Sequence, residues 1–420
     1  VNEPSRPNLR PNVLYLVHRL PYPPDKGDRI RAYHLIRHLS RRANVHLACL
    51  ADEPVPVESV RALQALCTRV CVVELRPSRW ARALTSLARG GTVTAGAFFA
   101  PDMVRVIREW TRSTDYTAAV ASSSAMVSYL RRRELAGVAA VVDLVDVDSQ
   151  KWYDYAAAAR GPRASLYRTE GRRLRKLESS LPSWARAVTL VSEAETELFR
   201  SFCPSPDVHT VPNGVDMEYF RPQSPALAEE GCVFVGALDY KPNVDAVTWF
   251  CAEVWPAVMR GHPNARLRLV GRQPVPEVLK LSEVPGVEVV GQVPDVRPHL
   301  SWAALAVAPL RIARGLQNKV LEALAMRKPV VSSPQALAGL RERLDLPALT
   351  ATTPAEWAEH IGRLLADEPL RRQLGAAGRR YVEAHHSWER CLEPLSDLLG
   401  LPPVSGEFPA AVLAGGEGST

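Results

Sequence analysis

The chain has 420 residues, 46% of them hydrophobic and 23% charged, and a net charge of +7. That length exceeds one ordinary core and suits two domains, and the composition is that of a soluble globular protein. No apolar run reaches the roughly 18–20 residues that span a bilayer.

The start, Val1 to Pro11, reads as a flexible lead-in without the basic flank, apolar centre and small-residue cleavage site of a secretory signal. Val13–Val17 is an apolar run suited to a buried parallel strand. A Pro-rich loop, His18 to Lys26, follows, and Gly27 leads into a helix whose inner stripe is Ala32, Leu35, Ile36 and Leu39. Further strands are expected at Val45–Leu50, Val70–Leu75, Ala118–Ala121, Ala139–Leu144 and Ala187–Val191. Helical patterns lie between most of them. Strands alternating with helices argue an α/β layer with a parallel sheet, whose ligands bind beyond the carboxyl ends of the strands. The loop after Val17 and the segment after Leu144 lie at such ends. Arg160 to Glu178 is a basic helical stretch, read either as a solvated face or as a contact with anionic lipid.

Val211-Pro-Asn-Gly-Val-Asp216 marks a boundary, its Asn-Gly pair predicting a tight turn. A polar connector, Gln223–Gly231, then opens a second α/β series with strands at Cys232–Val235, Arg266–Val270, Val287–Val290, Leu305–Ala308 and Val330–Ser332. Asn243 is expected to cap a helix with Val247, Phe250, Cys251 and Val254 inside. In Gly315–Pro329 the residues Val320, Leu321, Leu324 and Ala325 share one helical face. Asn318 suits an N-cap, and Pro329 stops the helix. Lys319 and Glu322 lie three apart near its N-terminus, as an ordinary surface pair or as one end of a ligand site. Helices are expected near Pro354–Asp367, Pro369–Ala384 and Trp388–Leu399, and the Gly/Ala/Ser-rich tail beyond Pro402 reads as disordered. The domains are thus 12–220 and 221–385, between a lead-in at 1–11 and a helix at 386–401, with 402–420 as tail. Two such domains joined by one turn imply a cleft.

Charge divides the same way: residues 1–220 carry 31 basic against 23 acidic side chains, and 221–420 carry 21 against 22. A basic N-terminal half fits an anionic partner, either a membrane surface or a phosphorylated substrate. With no stacking motif or zinc finger among the arginines, nucleic acid is disfavoured. The seven scattered cysteines read as buried reduced thiols, hence a cytoplasmic protein, and Cys67 and Cys71 lack zinc-site spacing.

Five landmarks follow in order: Pro24-Asp-Lys-Gly-Asp28, Val211-Pro-Asn-Gly-Val-Asp216, Val235-Gly-Ala-Leu238, Gly291-Gln-Val-Pro-Asp295, and Leu321-Glu-Ala-Leu-Ala325 with Pro329-Val-Val331. Together they resemble the retaining glycosyltransferases of the GT-B fold, family 4, over about residues 12–400. More narrowly, Pro242-Asn-Val-Asp-Ala246, Gly315–Glu322 and Asp143–Ser149 with Lys151-Trp152 look like sugar transferases of bacterial exopolysaccharide clusters, the PEP-CTERM/EpsH-associated group. The resemblance implies two Rossmann-like domains facing across a cleft, the C-terminal helix returning to the N-domain. It also implies transfer of a sugar from a nucleoside-diphosphate sugar to a glycan or lipid-linked acceptor. No cofactor or metal is expected, and the protein would be cytoplasmic, in peripheral contact with the inner face of the membrane.

Gly27 and Gly236 would let backbone approach phosphate, although a lone Gly is also simply a turn. Lys241 or Lys319 would supply the cation that stabilises the leaving group. By resemblance, Glu322 holds the donor ribose, Gln292 and Val293 lie in the base-binding loop, and Asp146 orients the acceptor or accepts a proton. Asp146 also reads as a strand-end cap. The sequence departs from the family at Arg314, in the place of the first glutamate, where contact with phosphate or donor sugar is expected. Ala237 stands where an Arg is usual. The rivals are a nucleotide-sugar epimerase and a non-catalytic sugar-nucleotide binder or scaffold.

Overall fold

The computed structural model describes residues 10–25, 27–75, 82–83, 85–86, 90–222, 231–313, 316–340 and 346–403. Short apolar runs pair as two sheets. The first has strands β1 (Asn12–Val17), β2 (Asn44–Ala51), β3 (Arg69–Glu74), β4 (Ala118–Ser122), β5 (Ala139–Val145), β6 (Ala187–Leu190) and β7 (Val208–Thr210). Their order is β3-β2-β1-β4-β5-β6-β7. The second has β8 (Gly231–Val235), β9 (Leu267–Val270), β10 (Val287–Gly291), β11 (Ala303–Ala308), β12 (Val330–Ser332) and β13 (Leu349–Thr350), in the order β10-β9-β8-β11-β12-β13. Every pair in the second sheet is parallel. Both orders reverse beside their first strand, β1 against β4 and β8 against β11, which is the doubly wound pattern and its switch point.

The helices that bear on function are α1 (Gly27–Ser40), α2 (Asp148–Ala158), α3 (Gly161–Ser180), α4 (Glu193–Phe202), α5 (Lys241–Trp249), α6 (Asn318–Ala325), α7 (Glu368–His385) and α8 (Trp388–Leu399). The expected inner stripe of α1 is buried, as is that of α6. Contacts gather the described residues up to Thr85, 94–141 and those from Leu395 on into one unit, and 86–93 with 142–394 into a second.

The second unit holds the whole β8–β13 sheet, and alternation along β8 builds its two cores. Cys232 and Phe234 face a core with fully buried Trp255 and Trp357, and Val233 faces the other, against α6. Arg379 of α7 donates to the carbonyls of Ala325 at 2.9 Å and Phe220 at 2.7 Å, satisfying an open carbonyl at the end of α6.

Several local expectations are corrected. Asn213-Gly214 forms no tight turn. A Cβ on Gly214 would lie 2.5 Å from the Trp388 nitrogen, so glycine there admits a neighbouring backbone, and the Val215 N–H donates to the His386 carbonyl at 2.7 Å. Asn243 is not a cap: Pro242 lets the helix begin earlier, with Tyr240 as N-cap. Asn318 is the first residue of α6 rather than its cap, which is Gln317. Five cysteines are buried, but Cys71 and Cys203 are half-buried, one on edge strand β3 and the other at the end of α4. The lead-in up to Leu9, the connector at 223–230, the tail from 404, and Arg314 and Gly315 lie outside the described residues.

Candidate active site at the carboxyl ends of β8 and β9

The ends of β8 and β9 run so close that side chains do not fit between them. The Gly236 N–H donates to the Val270 carbonyl at 2.9 Å. A Cβ on Gly271 would stand 1.7 Å from the Gly236 oxygen, and one on Gly236 would meet Asn243 Nδ2 at 2.9 Å and Lys319 Nζ at 3.2 Å. Two glycines thus open a backbone floor beneath a cation.

The cation is Lys319, in the first turn of α6. Its Nζ donates to Asn243 Oδ1 at 2.7 Å and stands 4.8 Å from the centre of the Phe234 ring. Asn243 Nδ2 donates to the Ala237 carbonyl at 2.8 Å, so the amide is fixed at both ends. A hydrogen bond to a charged group contributes about 1.5–3 kcal/mol, enough to hold a long side chain in one place. Burial lowers Lys319 to about 8, against the opposing pull of Glu322. Burial raises Glu322 to about 7, opposed by Lys319. The two interact without an ion pair within contact distance, and the Glu322 carboxylate accepts no hydrogen bond from a described residue. Asn318 Oδ1 is buried and likewise lacks a partner. One helix N-terminus therefore carries a desolvated cation with donors to spare, a carboxylate with open acceptor positions and an orphaned carbonyl.

The other expected residues are placed as follows. Lys241 opens α5 two residues before Asn243, exposed and without a hydrogen bond or ion pair to a described residue. Gly291 ends β10 in the left-handed region and its carbonyl accepts from Gly271 N–H at 2.8 Å; Gln292 beyond it is exposed and Val293 half-buried. Gly271, Asn243 and Phe234 were not foreseen as site residues. Val270-Gly271 repeats the strand-end spelling of Val235-Gly236 and was the available signal for the first.

Two expected residues lie outside the β8–β13 sheet, on segments that follow strands of the first sheet. Gly27 is the first residue of α1, where a Cβ would meet open space. Beside it, Asp28 is bound by Arg19 at 3.0 Å and approached by His18 at 3.5 Å. Burial would raise its carboxyl, yet His18 and Arg19 hold it well below the usual range.

Asp146 follows Val145, whose φ of 73° is strained for a β-branched residue and costs roughly 1–3 kcal/mol. Two glutamates brace that turn. Glu195 accepts from Val147 N–H at 2.7 Å, and Glu178 from Ser149 N–H at 2.9 Å and from the Ser149 hydroxyl. Asp146 and Asp148 both turn to Lys151, at 2.9 and 3.3 Å, so the Asp-x-Asp spelling there encloses an ammonium. Burial would lower Lys151, and the two aspartates outweigh it and push it up.

Residues 229–367, which include this cradle, match the family model described as glycosyl transferases group 1. A GDP-mannose-dependent monoacylated alpha-(1-6)-phosphatidylinositol monomannoside mannosyltransferase of Corynebacterium glutamicum is 27% identical over 240 residues, covering 51% of this chain and 62% of that protein. The chain spans less than two thirds of the length of the curated relatives it matches. Among solved structures, sucrose-phosphate synthase of Thermosynechococcus elongatus superposes with a TM-score of 0.64 at 17% identity, covering 92% of this chain and 98% of that one. HepE of Anabaena, in complex with UDP, does so at 0.65 and 15%, covering 93% and 99%. The chain has the GT-B fold, and the match to the glycosyl transferases group 1 model falls on its β8–β13 sheet.

Proposed function

We propose that the protein is a metal-independent, retaining glycosyltransferase of family 4 that takes a nucleoside-diphosphate sugar at the ends of β8 and β9. The observation that carries this reading is Lys319, held by Asn243 over the glycine floor with Glu322 one turn along α6. Charge grows on the leaving diphosphate as the bond to the sugar breaks. A fixed ammonium and helix N-terminal N–H groups stabilise that charge, and their order is already present before reaction. The open acceptor positions of Glu322 suit the two ribose hydroxyls. The GDP-mannose named for the mannosyltransferase and the UDP held by HepE are both nucleoside diphosphate chemistry, in keeping with this donor class.

In the reaction, the bond from the anomeric carbon to the diphosphate oxygen breaks and one to the acceptor hydroxyl forms on the same face. The proton of that hydroxyl passes to a phosphate oxygen. Gln292 and Val293 face the base, Lys241 and Arg314 serve phosphate or donor sugar, and Asp146 orients the acceptor. The acceptor is a growing polysaccharide or lipid-linked sugar of exopolysaccharide synthesis, met at the inner face of an anionic membrane that the basic half contacts. No helix of the described residues is long and apolar enough to cross that membrane. A non-catalytic sugar-nucleotide binder is the second reading, favoured by Ala237, which offers only its carbonyl, to Asn243.

The test is a thermal-shift panel of nucleoside diphosphates and their sugars, with and without EDTA, on wild type and Glu322→Ala. A shift from one nucleotide class that persists in EDTA and vanishes in the variant is expected. No shift with any nucleotide overturns the reading, and a shift without turnover over a broad acceptor panel moves it to the binder.

A further inference from the structure

The helical hairpin of α2 and α3 carries an unbalanced charge. Residues 148–180 hold eight basic side chains against four acidic ones. The four acids all have partners: Asp148 binds Lys151, Asp154 accepts from Gln150 at 3.1 Å, Glu170 accepts from Val93 N–H at 2.7 Å, and Glu178 braces Ser149. Five bases face out. Arg160, Arg163, Arg168, Arg172 and Lys176 are all exposed, and none forms an ion pair with a described residue. Arg168, Arg172 and Lys176 recur every fourth residue and make one stripe along α3.

Beside that stripe the surface is apolar. Arg168 and Arg172 rim a pocket of about 420 Å³ whose other walls are Tyr153, Ala156 and Ala157 of α2. Tyr155 and Leu166 of the same hairpin are 56% and 41% exposed. A solvated basic face needs no such company. Cations beside exposed aromatic and aliphatic side chains suit the boundary between lipid head groups and acyl chains, where phosphate and hydrocarbon are presented together.

The geometry points to this hairpin as the face by which the protein rests on an anionic phospholipid bilayer, lipid phosphates at Arg168 and Arg172 and acyl carbon over Ala156 and Ala157. The inference deepens the membrane contact proposed above. Its readout is partitioning rather than turnover, so it stands or falls apart from the donor site.

The experiment is co-sedimentation of the full chain with vesicles of phosphatidylcholine, alone or mixed with phosphatidylglycerol. Binding is expected only to the mixed vesicles and to weaken with salt. Each basic residue near an anionic leaflet is worth about fivefold, so Arg168→Ala with Arg172→Ala should lower partitioning roughly 25-fold. Tyr155→Ser should lower it further. Arg260→Ala with Lys280→Ala removes equal charge from exposed positions outside the basic half and should stay within about twofold of wild type. Each variant is checked by its melting temperature and by its nucleotide thermal shift, both expected to match wild type. Three results overturn the inference: no dependence on phosphatidylglycerol, wild-type partitioning by the hairpin pair, or an equal loss in the control pair. So does binding that a soluble polyanion supports and the vesicles do not.

Discussion

Two strand ends of this molecule carry the same residue types and use them differently. After β5, Lys151 sits between Asp146 and Asp148, its charge answered by two carboxylates. At β8, Lys319 is held by a neutral amide, and the carboxylate one turn away stands off. The first arrangement completes itself: ammonium and carboxylates satisfy one another on a strained but braced turn. The second leaves charge desolvated and acceptor positions open, an arrangement that lowers stability unless something else benefits. A lysine near a carboxylate is therefore not by itself a site. What distinguishes a site is a cation whose partner is neutral, over a floor that side chains cannot fill.

Breaking the contrast at its cation gives the largest effect. Lys319→Met should cost about 10²–10³ in kcat/KM, the range for removing one preorganised group that stabilises a leaving charge, while the apo protein melts no lower than wild type. Steady-state kinetics with the donor found by thermal shift measure it. Next, Glu322→Ala should weaken donor binding about 10–100-fold through loss of two hydroxyl bonds, read by calorimetry. Asn243→Leu leaves Lys319 in place without its tether. Affinity should drop about tenfold and the acidic limb of the pH profile should stay unchanged. On the other strand end, Lys151→Met leaves two aspartates facing each other at a partly exposed position. It should lower stability by about 1 kcal/mol in denaturant unfolding and leave donor affinity unaltered.

The pH dependence sharpens the same comparison. Donor binding needs Glu322 ionised and Lys319 protonated, so affinity should rise as pH approaches about 7 and decline above about 8. Stability runs the other way. Glu322 is raised in the folded state, so its contribution improves as pH falls from about 7 toward its unfolded value. Lys319 is lowered, so its contribution improves as pH rises beyond about 8. The apo protein thus bears its greatest electrostatic penalty where it binds best. Melting curves and calorimetry over the same pH series check both, and Glu322→Gln should remove the acidic limb of binding.

Much of this was legible in the chain. The apolar runs of β1 and β8 and the stripes of α1 and α6 follow from burial on parallel sheets, which demands continuous apolar strands and one-sided helices. Strands β7 and β13 were not, because three and two residues carry no periodicity and pair only once a sheet edge exists beside them. Lys319 and Glu322 were visible as a pair on one face, but Asn243, 76 positions away, joins them only in the folded chain, through its hydrogen bond to Lys319. The left-handed backbone at Val145 has no sequence signal at all, since valine is among the residues least suited to it.

The most direct test is a calorimetric titration, in EDTA, of the nucleoside diphosphate giving the largest thermal shift into wild type, Lys319→Met and Lys151→Met. If the β8 strand end is the donor site, Lys319→Met binds about 100-fold more weakly or not at all, and Lys151→Met binds as wild type does. Wild-type binding by Lys319→Met, or an equal loss in Lys151→Met, would contradict the assignment of the cradle.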